Sequence, residues 1–336
     1  MDISLIICTY NRCESLPAAL ENVAHSVLPN SITWEILVVD NNSSDRTHEV
    51  VEDFIRRYPG RFRYLLESRQ GKSYALNSAI WEAHGEILAF TDDDVIVEPD
   101  WLQNLTANLH GNEWAGAAGR VLRTWTCSPP RWLSLERRYE KMGWALVSFD
   151  LKQEACELPF AYPPVGANMA FRKEVFSRHG VFRTDLGPAG NVTGSRFLRR
   201  RARFPVWEDT ELGQRMMGNG ERLRYEPSAV VYHPVPERRL TRDYFLGWWF
   251  GRGLDSIRIM PKGRPVLGIP RPYVRLVKMT ILLFGNGLAW LTAIKPYRRF
   301  YYKLLTWELA GAIMGSITYH PRHVHGDFTE QDSFKV

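Results

Sequence analysis

Through the first hundred positions, apolar residues follow two alternating rhythms. Largely apolar runs stand at 3–9, 34–39, 62–66 and 87–90. Between them, apolar residues recur every three or four positions. Leu16 and Leu20 do so in 15–24, and Val50, Val51, Phe54 and Ile55 in 47–58; a third such segment, 73–83, is stopped by Gly85. The first rhythm predicts buried strands, the second helices with one apolar face. Strands alternating with helices predict a parallel sheet covered on both faces. Such sheets bind ligands beyond the carboxyl ends of their strands. Three polar motifs fall at those ends: Thr9-Tyr10-Asn11-Arg12, Asp40-Asn41-Asn42-Ser43-Ser44-Asp45 and Asp92-Asp93-Asp94.

Beyond residue 100 the rhythm loosens. A helix is expected at 101–109, a short strand at 115–122, then an aromatic and basic stretch. Residues 166–172 read as a strand opening on small residues. A loop-rich segment, 182–204, ends in Arg199-Arg200-Arg201-Ala202-Arg203. Residues 207–217 read as a helix with Glu208, Asp209 and Glu211 in its first turn, where the helix dipole favours acids. A strand at 229–232 is followed by His233-Pro234. Two apolar segments close the chain: 276–294, with only Lys278 charged, and 304–319, with only Glu308 charged. The first is barely long enough to span a bilayer and the second is short. Basic residues stand before the pair (Arg264, Arg271, Arg275) and between its members (Lys295, Arg298, Arg299, Lys303). A spanning hairpin would strand one basic cluster on the wrong side. Two helices lying in or dipping into the cytoplasmic leaflet are therefore expected. The competing expectation is a helical pair packed on the globular body or across a dimer. The polar tail from His320 is expected to be loose.

Composition adds direction. Residues 1–100 hold 8 Lys and Arg against 17 Asp and Glu, whereas the whole chain is net +6. The basic remainder suits anionic partners such as a diphosphate or an acidic lipid surface. No recognisable nucleic-acid module accompanies it, so nucleic acid is not an expected partner. The four cysteines include no C-x-x-C pair, which suits a reduced, cytoplasmic protein. The first residues lead into a strand without a basic leader, so no secretory signal is expected. Nothing in the sequence sets an oligomeric state.

The candidate chemistry centres on the three adjacent aspartates. Adjacent carboxylates repel, and burial sharpens the repulsion. A divalent cation relieves it, and carboxylate oxygens are the ligands Mg²⁺ or Mn²⁺ prefers, commonly shared with phosphates. His233 is a further candidate ligand, although a lone His after a strand is more often structural. Lys72 opens a helix and could meet a phosphate, or be a solvated surface Lys. Gly71-Lys72-Ser73 is not a P-loop, because Leu66 stands where the first Gly is required. No G-x-G-x-x-G follows the first strand, which argues against a dinucleotide dehydrogenase. Glu208-Asp209 is either a catalytic carboxylate pair or a helix cap.

Taken in order, Cys8–Arg12, Val38–Asp45, Gly71-Lys72 with Ala75-Leu76-Asn77, Thr91–Asp94, Gly166-Ala167-Asn168-Met169-Ala170 and Glu208-Asp209 resemble the inverting glycosyltransferases of family 2. The resemblance covers about residues 1–235. It implies the GT-A fold, an α/β architecture with a Rossmann-like, mostly parallel sheet flanked by helices. It implies a nucleotide-sugar donor, usually UDP-linked, held by Thr9, Tyr10, Arg12, Asp40, Asn42, Lys72, Asp92 and Asn168. It implies Mn²⁺ or Mg²⁺ on Asp94 and Asp92, with His233 as a further contact, and catalysis by Asp209 beside Glu208. The Q-x-x-R-W motif of the processive synthases is absent, and Trp248-Trp249 stands in roughly that region. Single-sugar transfer to a saccharide or lipid-linked acceptor is expected, in surface-glycan assembly at the inner face of the membrane. The insertion at 188–205 is longer than the family pattern suggests. The expected division is a donor-binding half (1–119), an acceptor-binding half (120–235), a helical basic and apolar region (236–319) and the tail (320–336). A nucleotidyltransferase, and a non-catalytic sugar- or lipid-binding subunit, remain the alternatives.

Overall fold

The computed structural model describes residues 1–187, 207–259 and 271–318. Strands β1 (Ile3–Thr9), β2 (Trp34–Asp40), β3 (Phe62–Leu66) and β4 (Ile87–Asp92) lie parallel in the order β3-β2-β1-β4. Helices α1 (Leu16–Ala24), α2 (Thr47–Arg57) and α3 (Lys72–Glu82) connect them in turn. Every residue of β2 is buried, as a strand sandwiched between two helical layers requires. The helices bury the positions their periodicity selects: Leu16, Leu20 and Val23 on α1, Val51 and Phe54 on α2.

Past β4 the sheet becomes mixed, so the parallel half read from the first hundred residues is one part of a mostly parallel GT-A sheet. The two-residue strand β5 (Ile96–Val97) and the short helix α4 (Trp101–Thr106) precede β6 (Gly116–Trp125). A two-residue strand, β7 (Cys156–Glu157), and then β8 (Met169–Arg172) follow. Strand β8 runs antiparallel between β4 and β6. Helices α5 (Glu174–His179) and α6 (Glu208–Gly218) lead to β9 (Leu223–Val235). Strand β9 is parallel to β6 and antiparallel to β5 and β7.

Of the expected strand at 166–172, only the last four residues pair, and the small residues before them form the turn into it. Strand β9 is far longer than the four residues expected. Pro227 falls where the β6–β9 register shifts, a bulge that tolerates a missing N–H. His233 and Pro234 lie inside the strand, opposite Arg123 and Thr124, and not after it.

The C-terminal region contains α7 (Arg242–Ile259), α8 (Arg271–Thr292) and α9 (Pro296–Thr318). Three glycines let α7 and α9 meet backbone to backbone. A Cβ at Gly253 would lie 1.9 Å from the Glu308 carbonyl oxygen, one at Gly311 2.2 Å from that of Phe250, and one at Gly315 2.5 Å from that of Leu254. Phe300, Tyr301 and Leu304 of α9 join Phe245 and Trp249 of α7 in a second core with Met142 and Leu146. The expected pair of membrane-facing helices thus divides: α9 packs on the body, and α8 remains outside. Tyr273, Val277, Ile281, Phe284, Leu288 and Leu291 form an exposed stripe at three- and four-residue spacing on α8. The window Tyr273–Thr292 is long and apolar enough to cross a membrane, with 6% of it buried. Arg264, the run 199–203, the insertion 188–205 and the tail from 320 lie outside the described residues.

Candidate active site

The three motifs at the strand ends are tied to one another. The Asn11 N–H donates to Ser43 Oγ (2.8 Å), and the Ser44 N–H donates to Asn11 Oδ1 (2.8 Å). Asn11 and Asn42 take left-handed backbone, at φ 50° and 63°, which Asn accepts more readily than most residues. Buried Asp40 accepts from the Ser43 N–H (2.9 Å) and from Tyr64 Oη (2.9 Å). Buried Asn41 accepts from the Gly71 N–H at 2.7 Å, which fixes the start of α3 and hence Lys72. Gly71 stands at φ 143°, a conformation that glycine adopts without the steric cost other residues would incur. Thr9 is buried, Tyr10 is 48% exposed, and the Asn42 side chain is open to solvent.

Strand β4 delivers Asp92 at its last residue, and the turn beyond carries Asp93 and Asp94. Asp92 Oδ1 accepts from Lys72 Nζ at 2.7 Å. Burial, the largest single influence, would raise Asp92, but the charge and hydrogen bond of Lys72 together with His233 and Arg239 outweigh it and hold the carboxyl below its ordinary range. Asp94 meets three groups: Arg239 Nη2 at 3.1 Å, Arg12 Nη2 at 3.5 Å and His233 Nε2 at 3.6 Å. Asp93 turns inward, where burial pushes it up to about 6 against the pull of Arg12. Ligand atoms of Asp92, Asp94 and His233 lie within 4.8 Å of one another, so these three could hold one metal ion. Two carboxylates and an imidazole are a donor set that suits Mn²⁺ or Mg²⁺ better than a soft metal.

The second carboxylate pair opens α6. The Gly166 N–H donates to Asp209 Oδ2 (2.8 Å), and the Thr210 N–H donates to Oδ1 (2.6 Å), so both oxygens are oriented. A Cβ on Gly166 would come within 3.4 Å of Asp209 Oδ2 and 3.6 Å of Lys72 Nζ. Gly166 therefore sits between the Lys that pairs with Asp92 and the carboxylate of Asp209. Trp207, the residue before the pair, is held at φ 92°, ψ 0°, at a cost of about 1–3 kcal/mol for a bulky residue.

Buried Glu208 is pushed up to about 8, first by burial and then by the Asp209 charge. Its folded-state value thus exceeds the ordinary 4.5. Its contribution to stability is fully present below the ordinary value and is lost as pH rises toward 8. Glu208→Gln should therefore leave the Tm nearly unchanged at about pH 5 and raise it by a few degrees at about pH 8. Scanning calorimetry of the metal-free protein checks this, and an equal gain at both pH values would contradict it.

Of the residues expected at the site, Arg12, Lys72, Asp92, Asp94 and His233 form one connected cluster. Asn168 does not present itself to a donor. It is fully buried, and its amide nitrogen donates to the carbonyls of Ala229 (2.8 Å) and Arg120 (3.0 Å), clamping the β6–β9 bulge. Arg239 was not anticipated, although Arg238-Arg239 just after His233-Pro234 was the available signal. Gly166 was noted only as part of its motif, without its hydrogen bond to Asp209.

A sheet of this order, with acids gathered at the carboxyl ends of its parallel half, defines a GT-A transferase. The family model described as glycosyl transferase family 2 matches residues 4–180. The chain belongs to that family and is a glycosyltransferase. It is 26% identical over 257 residues to a glucosyl-dolichyl phosphate glucuronosyltransferase of Haloferax volcanii, covering 75% of each chain. It is 26% identical over 262 residues to the succinoglycan biosynthesis protein ExoM of Rhizobium meliloti, covering 77% of this chain and 75% of that one. Among solved structures, a mannosyltransferase from Pyrobaculum calidifontis in complex with GDP-Man and Mn²⁺ superposes with a TM-score of 0.59 at 20% identity, over 93% of this chain and 86% of the other. TarS 1–349 of S. aureus in complex with UDP gives 0.52 at 15% identity, over 95% and 91%. These structural likenesses bear on the fold alone. With the family assigned, the nucleotidyltransferase alternative falls.

Proposed function

We propose that this protein transfers one sugar, with inversion, from a nucleotide-sugar to a hydroxyl of a saccharide or lipid-linked acceptor in surface-glycan or glycolipid assembly. The observation that carries the proposal is the junction at Gly166, which brings Asp209 and the Lys72–Asp92 pair to the same space. One end of that space is built for a diphosphate and its cation, the other for a proton. Asp92, Asp94 and His233 would hold Mn²⁺ or Mg²⁺, which neutralises charge on the departing diphosphate. Lys72, Arg12 and Arg239, which pair with the acids here, are placed to share that load.

Asp209 receives the proton of the acceptor hydroxyl. The acceptor oxygen forms its bond to the anomeric carbon as the carbon–oxygen bond to the diphosphate breaks, and the diphosphate leaves with the electron pair. One carboxylate suffices as base for such a direct displacement. Thr9, Tyr10, Asp40 and Asn42 are assigned to the base and ribose of the donor. UDP is the expected nucleotide. Incubation with UDP-, GDP-, CDP- and dTDP-sugars, a lipid extract as acceptor source and Mn²⁺ tests the reading. Acceptor-dependent release of one nucleoside diphosphate supports it, and no release from any donor contradicts it.

The exposed stripe of α8 supports a lipid-linked acceptor. Each apolar side chain of its exposed stripe gains about 1.5–3 kcal/mol when fully removed from water. Arg275 and Lys278 stand near one end of the helix and Lys295, Arg298 and Arg299 just past the other, which suits anionic headgroups at both. The helix is accordingly assigned to lie within one leaflet at the cytoplasmic face. The protein should float with vesicles rich in anionic lipid, and the variant Ile281→Glu/Phe284→Glu/Leu288→Glu should remain at the bottom of the gradient. Equal flotation of the two would remove α8 from the account.

A further inference from the structure

Trp207 poses a question that its place just before α6 does not answer. A bulky residue in the left-handed region persists only where its surroundings hold it there. Two contacts do so, and both come from one residue of α7. The Trp207 Nε1–H donates to the Arg252 carbonyl at 3.1 Å, and the Arg252 guanidinium lies 4.7 Å from the centre of the Trp207 ring. Trp207 in turn begins the catalytic helix, because its carbonyl accepts from the Glu211 N–H at 2.8 Å. Glu208 and Asp209 lie within that turn.

Arg252 is itself fixed from behind. Its guanidinium is 4.3 Å from the ring centre of Trp144 and at the outer reach of cation–π attraction from Trp249 (5.9 Å) and Trp248 (6.0 Å). It pairs with Glu308 of α9, and both side chains are mostly buried, at 17% and 25% exposed. Next to it, Gly253 seats the α7 backbone against the Glu308 carbonyl. A planar guanidinium can stack flat on indole faces while its edge meets a carboxylate, a geometry that a point-charge ammonium does not reproduce.

We propose that Arg252 is a positioning residue for glycosyl transfer: clamped by Glu308, it holds Trp207 and thereby the Asp209 turn of α6 in working geometry. The C-terminal helices, on this account, brace the catalytic carboxylate as well as meeting the membrane. The proposal rests on the assignment of Asp209 as base. If the pair were only a buried structural contact, its loss would lower the Tm without acting selectively on the first turn of α6.

The test uses the full-length protein and two readouts. Hydrogen exchange at the Glu211 amide reports the turn without any substrate. In Arg252→Lys that exchange should quicken by about ten-fold or more, while amides of β1 stay within about two-fold of wild type. Transfer should show kcat lowered about ten-fold with the donor KM within about two-fold. In a Trp207→Gly background, where glycine accepts the backbone but the anchor is gone, Arg252→Lys should add less than about two-fold. Should Arg252→Lys fail to fold, Glu308→Gln should give the same selective pattern at about three-fold. Unchanged Glu211 exchange in a folded variant, or effects of Trp207→Gly and Arg252→Lys that simply multiply, would overturn the proposal. A wild type that transfers nothing overturns the glycosyl-transfer reading instead, and the exchange measurement stands apart from it.

Discussion

Asp209→Asn should slow sugar transfer by at least about 100-fold while nucleotide affinity stays within about two-fold of wild type. The expectation comes from geometry. Both Asp209 oxygens already accept main-chain N–H groups, from Gly166 and from Thr210. Asn keeps the size and one acceptor oxygen, so one of those bonds survives and the turn is retained. What disappears is the capacity to take a proton from the acceptor hydroxyl. The nucleotide contacts are assigned to the other end of the site, at Asp92, Asp94 and the strand-end loops, and Asn touches none of them. Steady-state kinetics with equilibrium binding of the nucleoside diphosphate separates the two effects. Joint loss of binding and turnover would recast Asp209 as a donor-binding residue.

Asp94→Ala should weaken Mn²⁺ binding by about 100-fold or more and abolish metal-dependent turnover, exceeding the 10–100-fold typical of a supporting residue beyond the ligands. Asp94 meets His233, Arg12 and Arg239 at once. Its removal takes away a ligand and leaves two guanidiniums facing the position of the cation. His233→Ala should cost less, because a neutral imidazole leaves both carboxylates in place. Calorimetric titration with Mn²⁺ alone measures both variants. Equal affinity in wild type and Asp94→Ala would move the metal elsewhere.

How much of this could be read from residues alone depends on how local the determinants are. The runs at 34–39 and 62–66 are largely apolar, broken only by Glu35 and Arg63, so β2 and β3 declare themselves as strands, β2 fully buried and β3 buried only at Phe62. Once they do, the topology brings Thr9, Asp40 and Asp92 together without further information. The antiparallel β8 could not be foreseen, because its four residues encode a strand and not a partner. Strand β9 was cut short in expectation by Pro227 and Pro234, which a bulge and the sheet edge accommodate. Helix α7 has aromatic residues around much of its circumference and glycines where α9 approaches, so no single apolar face marks it. The same glycines seat α9 against α7, whereas α8 packs along α9 and leaves its apolar stripe exposed, a distinction that composition cannot make. The structural part played by Asn168 was hidden for a related reason: a polar residue in a family motif can serve the sheet, here by donating to carbonyls at a bulge. Arg239 reaches Asp94 across 145 positions of sequence, a contact only the fold creates.

The central claim is that a metal and a nucleoside diphosphate bind together at the Asp92–Asp94 turn. A thermal-shift panel of UDP, GDP, CDP and dTDP, each with and without Mn²⁺, tests it on the wild-type protein with Asp94→Ala alongside. The account predicts a rise in Tm for one nucleotide, dependent on Mn²⁺ and absent in Asp94→Ala. A nucleotide shift that is indifferent to Mn²⁺ and survives in Asp94→Ala, or no shift with any nucleotide, would contradict it.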